Sequence, residues 1–209
     1  MAFVGNITHV IFDLDGTLID TELWGLTNVN KILATYGHSL SQQTYGQYIG
    51  FTPFDRCKRI IDDLALDYDN QKFLNDWINE CLKTVTTIQL MPGVRRLVEH
   101  LYSHGIPLAI GTAGKRAEYY PKTAHLEDLF VEGKYFSHVV HGDDKRVKRS
   151  KPFPDLFQVC ASLFTPSPEP IISRTRQVLA DFAMSCDDNG RLILKPRQTV
   201  KNTIEHLKI

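Results

Sequence analysis

Val10, Ile11 and Phe12 form a short β-branched and aromatic run that stops at Asp13-Leu14-Asp15-Gly16-Thr17, and this junction constrains the fold more than any other stretch. An apolar run without polar alternation reads as a strand buried on both faces, as in a parallel sheet covered by helices. The two carboxylates then fall where the strand leaves the sheet, the end at which open α/β sheets bind ligands. Thr8 and His9 stand at the opposite end of the strand, which makes His9 a structural residue.

Downstream periodicity supports the same class. From Thr21 to Ile88 the apolar residues recur at three to four residue steps, as in Leu23, Leu26, Val29, Ile32 and Leu33, with Thr52 before Pro53 marking a helix start. No strand signal interrupts this block, which reads as an all-helical insertion. A further amphipathic helix carries Val94, Leu97, Val98 and Leu101 and ends at Gly105. It feeds a second buried strand that ends at Thr112. A helix through Lys115–Phe130 places Pro121 near a boundary or a kink, and Phe136–Asp144 supplies a third strand before a helix through Phe153–Phe164. Strands alternating with helices predict an α/β fold with a doubly wound parallel sheet. The expected organisation is a core of residues 1–20 and 89–209, a small helical domain of 21–88, and an atypical tail over 171–209.

Composition narrows the partners. Lys plus Arg and Asp plus Glu each total 24 in the 209 residues, so the zero net charge gives no reason to expect nucleic acid or a membrane surface as partner. The basic run Lys145, Arg146, Lys148 and Arg149 lacks interleaved aromatics and reads as a solvated loop that attracts phosphate anions. Cys57, Cys81, Cys160 and Cys186 form no CxxC pair and are expected to be reduced structural thiols. No apolar run approaches the roughly 18 residues of a membrane span, and a cytoplasmic protein is expected.

Asp13 and Asp15 can hold a hard cation such as Mg²⁺, and a carboxylate in that position can also attack phosphorus. Gly16 permits a tight turn, and Thr17 can add its hydroxyl and N–H to the loop. Thr112 is followed by Ala113 and Gly114, small residues whose backbone N–H groups can approach a phosphate. Lys151 is a cation placed just before Pro152 and a helix. Asp143 and Asp144 read as a loop cap or a solvated pair in preference to metal ligands.

In this order the three sites resemble the haloacid dehalogenase superfamily, whose first three motifs are an Asp-x-Asp-x-Thr loop, a Ser or Thr after a strand, and a Lys before a helix. The intervening helices resemble the cap of its subfamily I. That resemblance implies Asp13 as nucleophile, Asp15 as general acid and base, Thr112 and Ala113 as phosphate ligands, and Lys151 as charge stabiliser. It also implies a Mg²⁺ cofactor held by Asp13 and Asp15. Leu90–Thr112, Tyr135–Asp144 and Lys151–Phe164 are further similar to the pseudouridine-5'-phosphatase group, from about Thr8 to Pro170. A Mg²⁺-dependent phosphomonoesterase acting on a small phosphorylated metabolite is thereby implied, with pseudouridine 5'-phosphate as the candidate. The alternative is a catalytically weak or inactive relative, a truncated or splice form with a binding or regulatory role.

The superfamily's fourth motif, an acidic pair after another strand, should follow the stiff connector of Pro166, Pro168 and Pro170. That place holds Ile171-Ile172-Ser173-Arg174-Thr175-Arg176-Gln177-Val178, without an acid. Asp187 and Asp188, before Asn189 and Gly190, are candidates for the third metal ligand, and Asp181 is another. A missing segment fits better, with Arg176–Phe182 resembling a later part of the family's tail. Such a loss exposes a sheet edge and weakens metal binding and phosphoryl transfer together. Arg191–Lys195 reads as a short strand and Gln198–Ile209 as a closing helix.

Overall fold

The computed structural model describes residues 8–131, 133–151, 153–166, 182–186 and 192–196. In chain order the elements are β1 (Val10–Phe12), α1 (Thr21–Ala34), α2 (Gln42–Tyr45), α3 (Pro53–Asp63), α4 (Asn70–Lys83), α5 (Val94–Ser103) and β2 (Leu108–Gly111). There follow α6 (Arg116–Thr123), α7 (Glu127–Phe130), β3 (Phe136–Val140), α8 (Asp155–Ser162), β4 (Phe182–Cys186) and β5 (Leu192–Pro196). Contacts divide the chain into two units, Met1–Ile19 with Leu90–Ile209, and Asp20–Gln89.

The first unit is α/β. Its parallel sheet has the order β1-β2-β3, with Phe12 opposite Ile110 and Gly111 opposite Val140. Each strand therefore delivers its carboxyl end to the same edge. Helix α8 buries Leu156 and Cys160 against Ala109 of β2 and Val140 of β3. Each large apolar side chain so buried contributes about 1.5–3 kcal/mol. Among the described residues β1 is the terminal strand of this sheet, so only Phe12 is fully buried while Val10 and Ile11 are half-exposed. The reading of β1 as buried on both faces is corrected to that extent. The ring of His9 lies 4.6 Å from that of Phe164, at the strand end remote from the carboxylates.

One local departure from the sequence reading concerns Pro121. Pro121 sits inside α6, two residues before its end, and the chain tightens into a 3₁₀ turn at Ala124–Leu126 before resuming as α7. Position 121 has no N–H to give the carbonyl of Ala117, four residues back, and α6 ends two residues beyond it. The short strand expected over Arg191–Lys195 is present as β5, paired antiparallel with β4 from Phe182 opposite Pro196 to Cys186 opposite Leu192. Gln198–Ile209 lies outside the described residues.

The second unit is helical. Its helices start where side chains can satisfy orphan N–H groups. Asp20 accepts from Leu23 N at 3.0 Å, Thr52 accepts from Asp55 N at 3.2 Å with Pro53 in the first turn, and Asp69 accepts from Lys72 N at 2.8 Å. Leu26, Val29, Leu33, Tyr45, Ile60, Phe73 and Trp77 form its core. No helix among the described residues is long and apolar enough to cross a membrane.

Candidate functional site

The loop after β1 turns sharply because Gly16 adopts a left-handed φ of 69° and donates its N–H to Ile19 O at 2.8 Å. This turn presents Asp13 and Asp15 at the carboxyl edge of the sheet. Asp13 Oδ1 accepts from Leu14 N at 2.9 Å, which orients the carboxylate. From the start of the α8 segment Lys151 reaches back and donates Nζ to Asp13 Oδ2 at 2.5 Å. The residues in this contact are 138 positions apart, and both are mostly buried.

Thr112, at the end of β2, is only 1% exposed. Its N–H donates to Val140 O at 2.9 Å, and its Oγ1 accepts from Gly114 N at 3.1 Å and lies 3.5 Å from Asp15 Oδ2. Ala113 follows on the exposed side, and its backbone packs directly on Gly142 from the loop after β3. Gly142 N in turn donates to Gly114 O at 3.0 Å. Asp13, Asp15, Thr112 and Lys151 are thus brought together by two strand ends and the segment before α8.

A fifth residue, absent from the sequence reading, joins them. Lys122, in the last turn of α6, donates Nζ to Asp15 Oδ1 at 2.9 Å, and its side chain is only 18% exposed. Leu14, Lys115, Glu118 and Tyr119 line the adjoining hollow together with Asp15, Thr112, Gly114 and Lys122. The sequence signal for Lys122 is faint. A lysine at a helix end is ordinarily a solvated charge that complements the helix dipole, and nothing local shows that α6 returns over the β1 loop.

The implied Mg²⁺ set is present among the described residues in its first two members. Asp13 and Asp15 each already give one oxygen to a lysine, so the two negative and two positive charges balance. Among the described residues no three His, Cys, Asp or Glu side chains converge as a metal site. Each carboxylate keeps one oxygen that no lysine occupies, so Asp13 and Asp15 are the described residues that would hold a divalent cation. The candidates Asp181, Asp187 and Asp188 lie outside the described residues.

Elsewhere the charged loop before α8 is largely self-satisfied. Asp143 Oδ1 accepts from Arg116 N at 3.1 Å at the start of α6. Asp144 forms a two-pronged pair with Arg146, whose hydrogen bonds hold its carboxyl down at about 2. Arg149 forms a similar two-pronged pair with Asp155 and holds its carboxyl below the usual range. Among the described residues Cys57, Cys81 and Cys160 are in no disulfide, and burial pushes the thiols of Cys57 and Cys160 up to about 12, as expected of structural thiols.

A family model described as haloacid dehalogenase-like hydrolase matches residues 10–172. (DL)-glycerol-3-phosphatase 1, mitochondrial, of Arabidopsis thaliana is 33% identical over 166 residues, covering 78% of this chain and 55% of that protein. The chain therefore spans little more than half of that relative. The Drosophila melanogaster protein named "Probable pseudouridine-5'-phosphatase" is 30% identical over 166 residues, covering 79% of this chain and 71% of that protein. Among solved structures, CbbY from Rhodobacter sphaeroides in complex with phosphate shares the fold, with a TM-score of 0.51 and 22% identity over 75% of this chain and 72% of that one.

The tail matches differently. A second family model, described as transmembrane protein 188, covers residues 156–198. The nuclear envelope phosphatase-regulatory subunit 1 homolog of Drosophila melanogaster is 65% identical over 37 residues, 18% of this chain and 28% of that protein. Arg176–Phe182, read from sequence as a later part of the hydrolase tail, lies beyond the hydrolase match and inside the second one.

Proposed function

Since the chain belongs to the haloacid dehalogenase-like hydrolase family, we propose that it is a phosphomonoester hydrolase of small phosphorylated metabolites. The Lys151–Asp13 contact of 2.5 Å carries this reading, because it joins the nucleophile expected after β1 to the cation expected before α8. In this mechanism an oxygen of Asp13 attacks phosphorus and the bond to the leaving oxygen breaks, while Asp15 gives that oxygen its proton. Water then attacks the aspartyl-phosphate, Asp15 takes the proton of the water, and the Asp13 O–P bond breaks to release phosphate. Lys151 offsets charge on the transferring group, and Thr112 with the Ala113 backbone positions it.

Pseudouridine 5'-phosphate and glycerol 3-phosphate are the substrates to try, each supported by the name of a relative. The helical unit is the element proposed to select among them and to exclude water, in the manner of a cap. Turnover of p-nitrophenyl phosphate by the folded chain, with and without Mg²⁺, tests the reading. A rate no higher than that of Asp13→Asn under both conditions removes it.

The tail favours a second reading, in which the chain serves as a regulatory partner of a phosphatase. It is supported by the 65% identity to a nuclear envelope phosphatase-regulatory subunit homolog. Co-purification of a nuclear envelope phosphatase with the full chain, compared with a chain ending at residue 172, tests it. Equal recovery with both chains counts against a role for the tail.

A further inference from the structure

We infer that His100 and His104, at the carboxyl end of α5, form a chelating site for a transition dication such as Zn²⁺, separate from the carboxylates of the loop after β1. Residues four apart on a helix lie on one face, one turn above the other. His100 stands in the last turn of α5, His104 is its C-cap residue, and both are exposed. Their ring centres are 4.2 Å apart, with the planes inclined by 42°. Two nitrogens on one zinc ion, each at about 2.0–2.1 Å from it, stand no more than about 4 Å apart, so rings this close are within chelating range without movement of the backbone. The chain enters β2 at Leu108 soon after His104, which puts the pair near the amino end of that strand, whereas Thr112, with Asp15, stands at its carboxyl end.

The hydrogen bonds of His104 prepare it for this role. Its Nδ1 lies 2.8 Å from His100 O, and a carbonyl oxygen only accepts, so Nδ1 carries the proton and the lone pair of the neutral ring is on Nε2. Imidazoles that bind metals are held in the same way, with the other ring N–H given to a carbonyl or a carboxylate. Ser103 Oγ donates to the same carbonyl at 2.8 Å. The end of a helix adds carbonyl groups without intrahelical partners, whose partial negative charge favours a cation there. Imidazole nitrogen suits Zn²⁺, Cu²⁺ and Ni²⁺, whereas Mg²⁺ takes oxygen ligands, so this pair and the carboxylates after β1 select different ions. Among the described residues no third His, Cys, Asp or Glu joins the pair, so water completes the coordination and the ion is exchangeable.

The test is calorimetric titration of the full chain with Zn²⁺ in excess Mg²⁺, so that oxygen sites are already supplied with their own ion. The wild type is expected to bind Zn²⁺, and His100→Gln and His104→Gln each to bind at least about 10-fold more weakly, the smallest loss expected even when only a partner of a metal ligand is removed. His38→Gln, which replaces an exposed histidine of the helical unit, is expected to bind as the wild type does. Thermal melting followed by circular dichroism shows that each variant is folded and gives a second reading: Zn²⁺ should raise the melting temperature of the wild type and of His38→Gln, and leave that of the other two variants nearly unchanged. A wild type that takes up no Zn²⁺ in the presence of Mg²⁺ overturns the inference. So does a loss confined to one of His100→Gln and His104→Gln, because chelation requires both rings, and so does an equal loss in His38→Gln.

Discussion

Gly142→Ala adds one methyl group at the point where the loop after β3 supports the turn after β2. A Cβ at this position would stand 2.1 Å from Ala113 O, 2.8 Å from Ala113 C and 3.2 Å from Ala113 Cα. Comfortable separation for carbon is about 3.5–4.0 Å. The obstacle is backbone, so no rotamer change relieves it. Gly142 is also outside the left-handed region, so the substitution probes space and not backbone strain. Ala113 is flanked by the Thr112 N to Val140 O bond and by the Gly142 N to Gly114 O bond, and both must stretch if the loop retreats. Overpacking of this kind costs about 1–3 kcal/mol, and at about 2–4 °C per kcal/mol for a chain of this size the melting temperature should fall by about 2–12 °C. The same retreat moves Thr112 away from Asp15, and a displacement of about 1 Å at a reacting site costs on the order of 100-fold in rate. Thermal melting followed by circular dichroism, with kcat/KM for p-nitrophenyl phosphate, reads both effects. Gly46→Ala, where an added Cβ meets nothing within 4 Å, is the control and should melt no lower than the wild type. A Gly142→Ala protein that melts with the wild type and retains its kcat/KM refutes the reasoning.

Thr84→Val should cost about 1–3 kcal/mol, because Thr84 Oγ1 accepts from Trp24 Nε1 at 3.0 Å and from the buried Asn28 Nδ2 at 2.8 Å; an unchanged urea midpoint would contradict this. Thr52→Ala removes the N-cap of α3 and should cost about 0.5–2 kcal/mol, whereas Thr52→Ser should recover most of it in the same denaturation experiment. Burial holds the imidazole of His138 below its usual pKa, while its Nε2 lies 2.8 Å from Cys160 O. The unfolded chain then binds more protons than the folded one, so this group's contribution is fully present above its unfolded pKa of about 6.5 and is lost as pH falls through the depressed folded value. Stability measured against pH should decline below about 6.5, and His138→Gln should flatten that part of the curve; an identical slope in the variant would remove His138 as its cause.

Features governed by neighbours along the chain were readable in advance. The Thr52-Pro53 start of α3, the apolar stripe of α1 and the turn at Gly16 each depend on groups a few residues apart, so their physics is contained in a short window. The order of Asp13, Thr112 and Lys151 on successive elements was readable too, because parallel strands must deliver their carboxyl ends to one edge. The break after Pro121 was placed only approximately, since a proline forbids a hydrogen bond without stating where the chain will yield.

The tail shows a different limit. Local propensity made a strand of Arg191–Lys195 and found β5 there, yet it could not reveal that the hydrolase match ends at residue 172 and that another family's match extends to residue 198. Hydrophobic periodicity reports how a segment will fold and is indifferent to which protein it resembles.

The amino-acid sequence by itself determined the α/β class, the helical insertion and the identities of the two carboxylates. Only the tertiary structure decided how those carboxylates are paired. Lys122 and Asp15 are 107 positions apart, and Lys151 and Asp13 are 138 apart. An ion pair of that separation costs chain entropy that no local pattern can repay, so it exists only because the packing of α6 and α8 on the sheet has already brought its partners together.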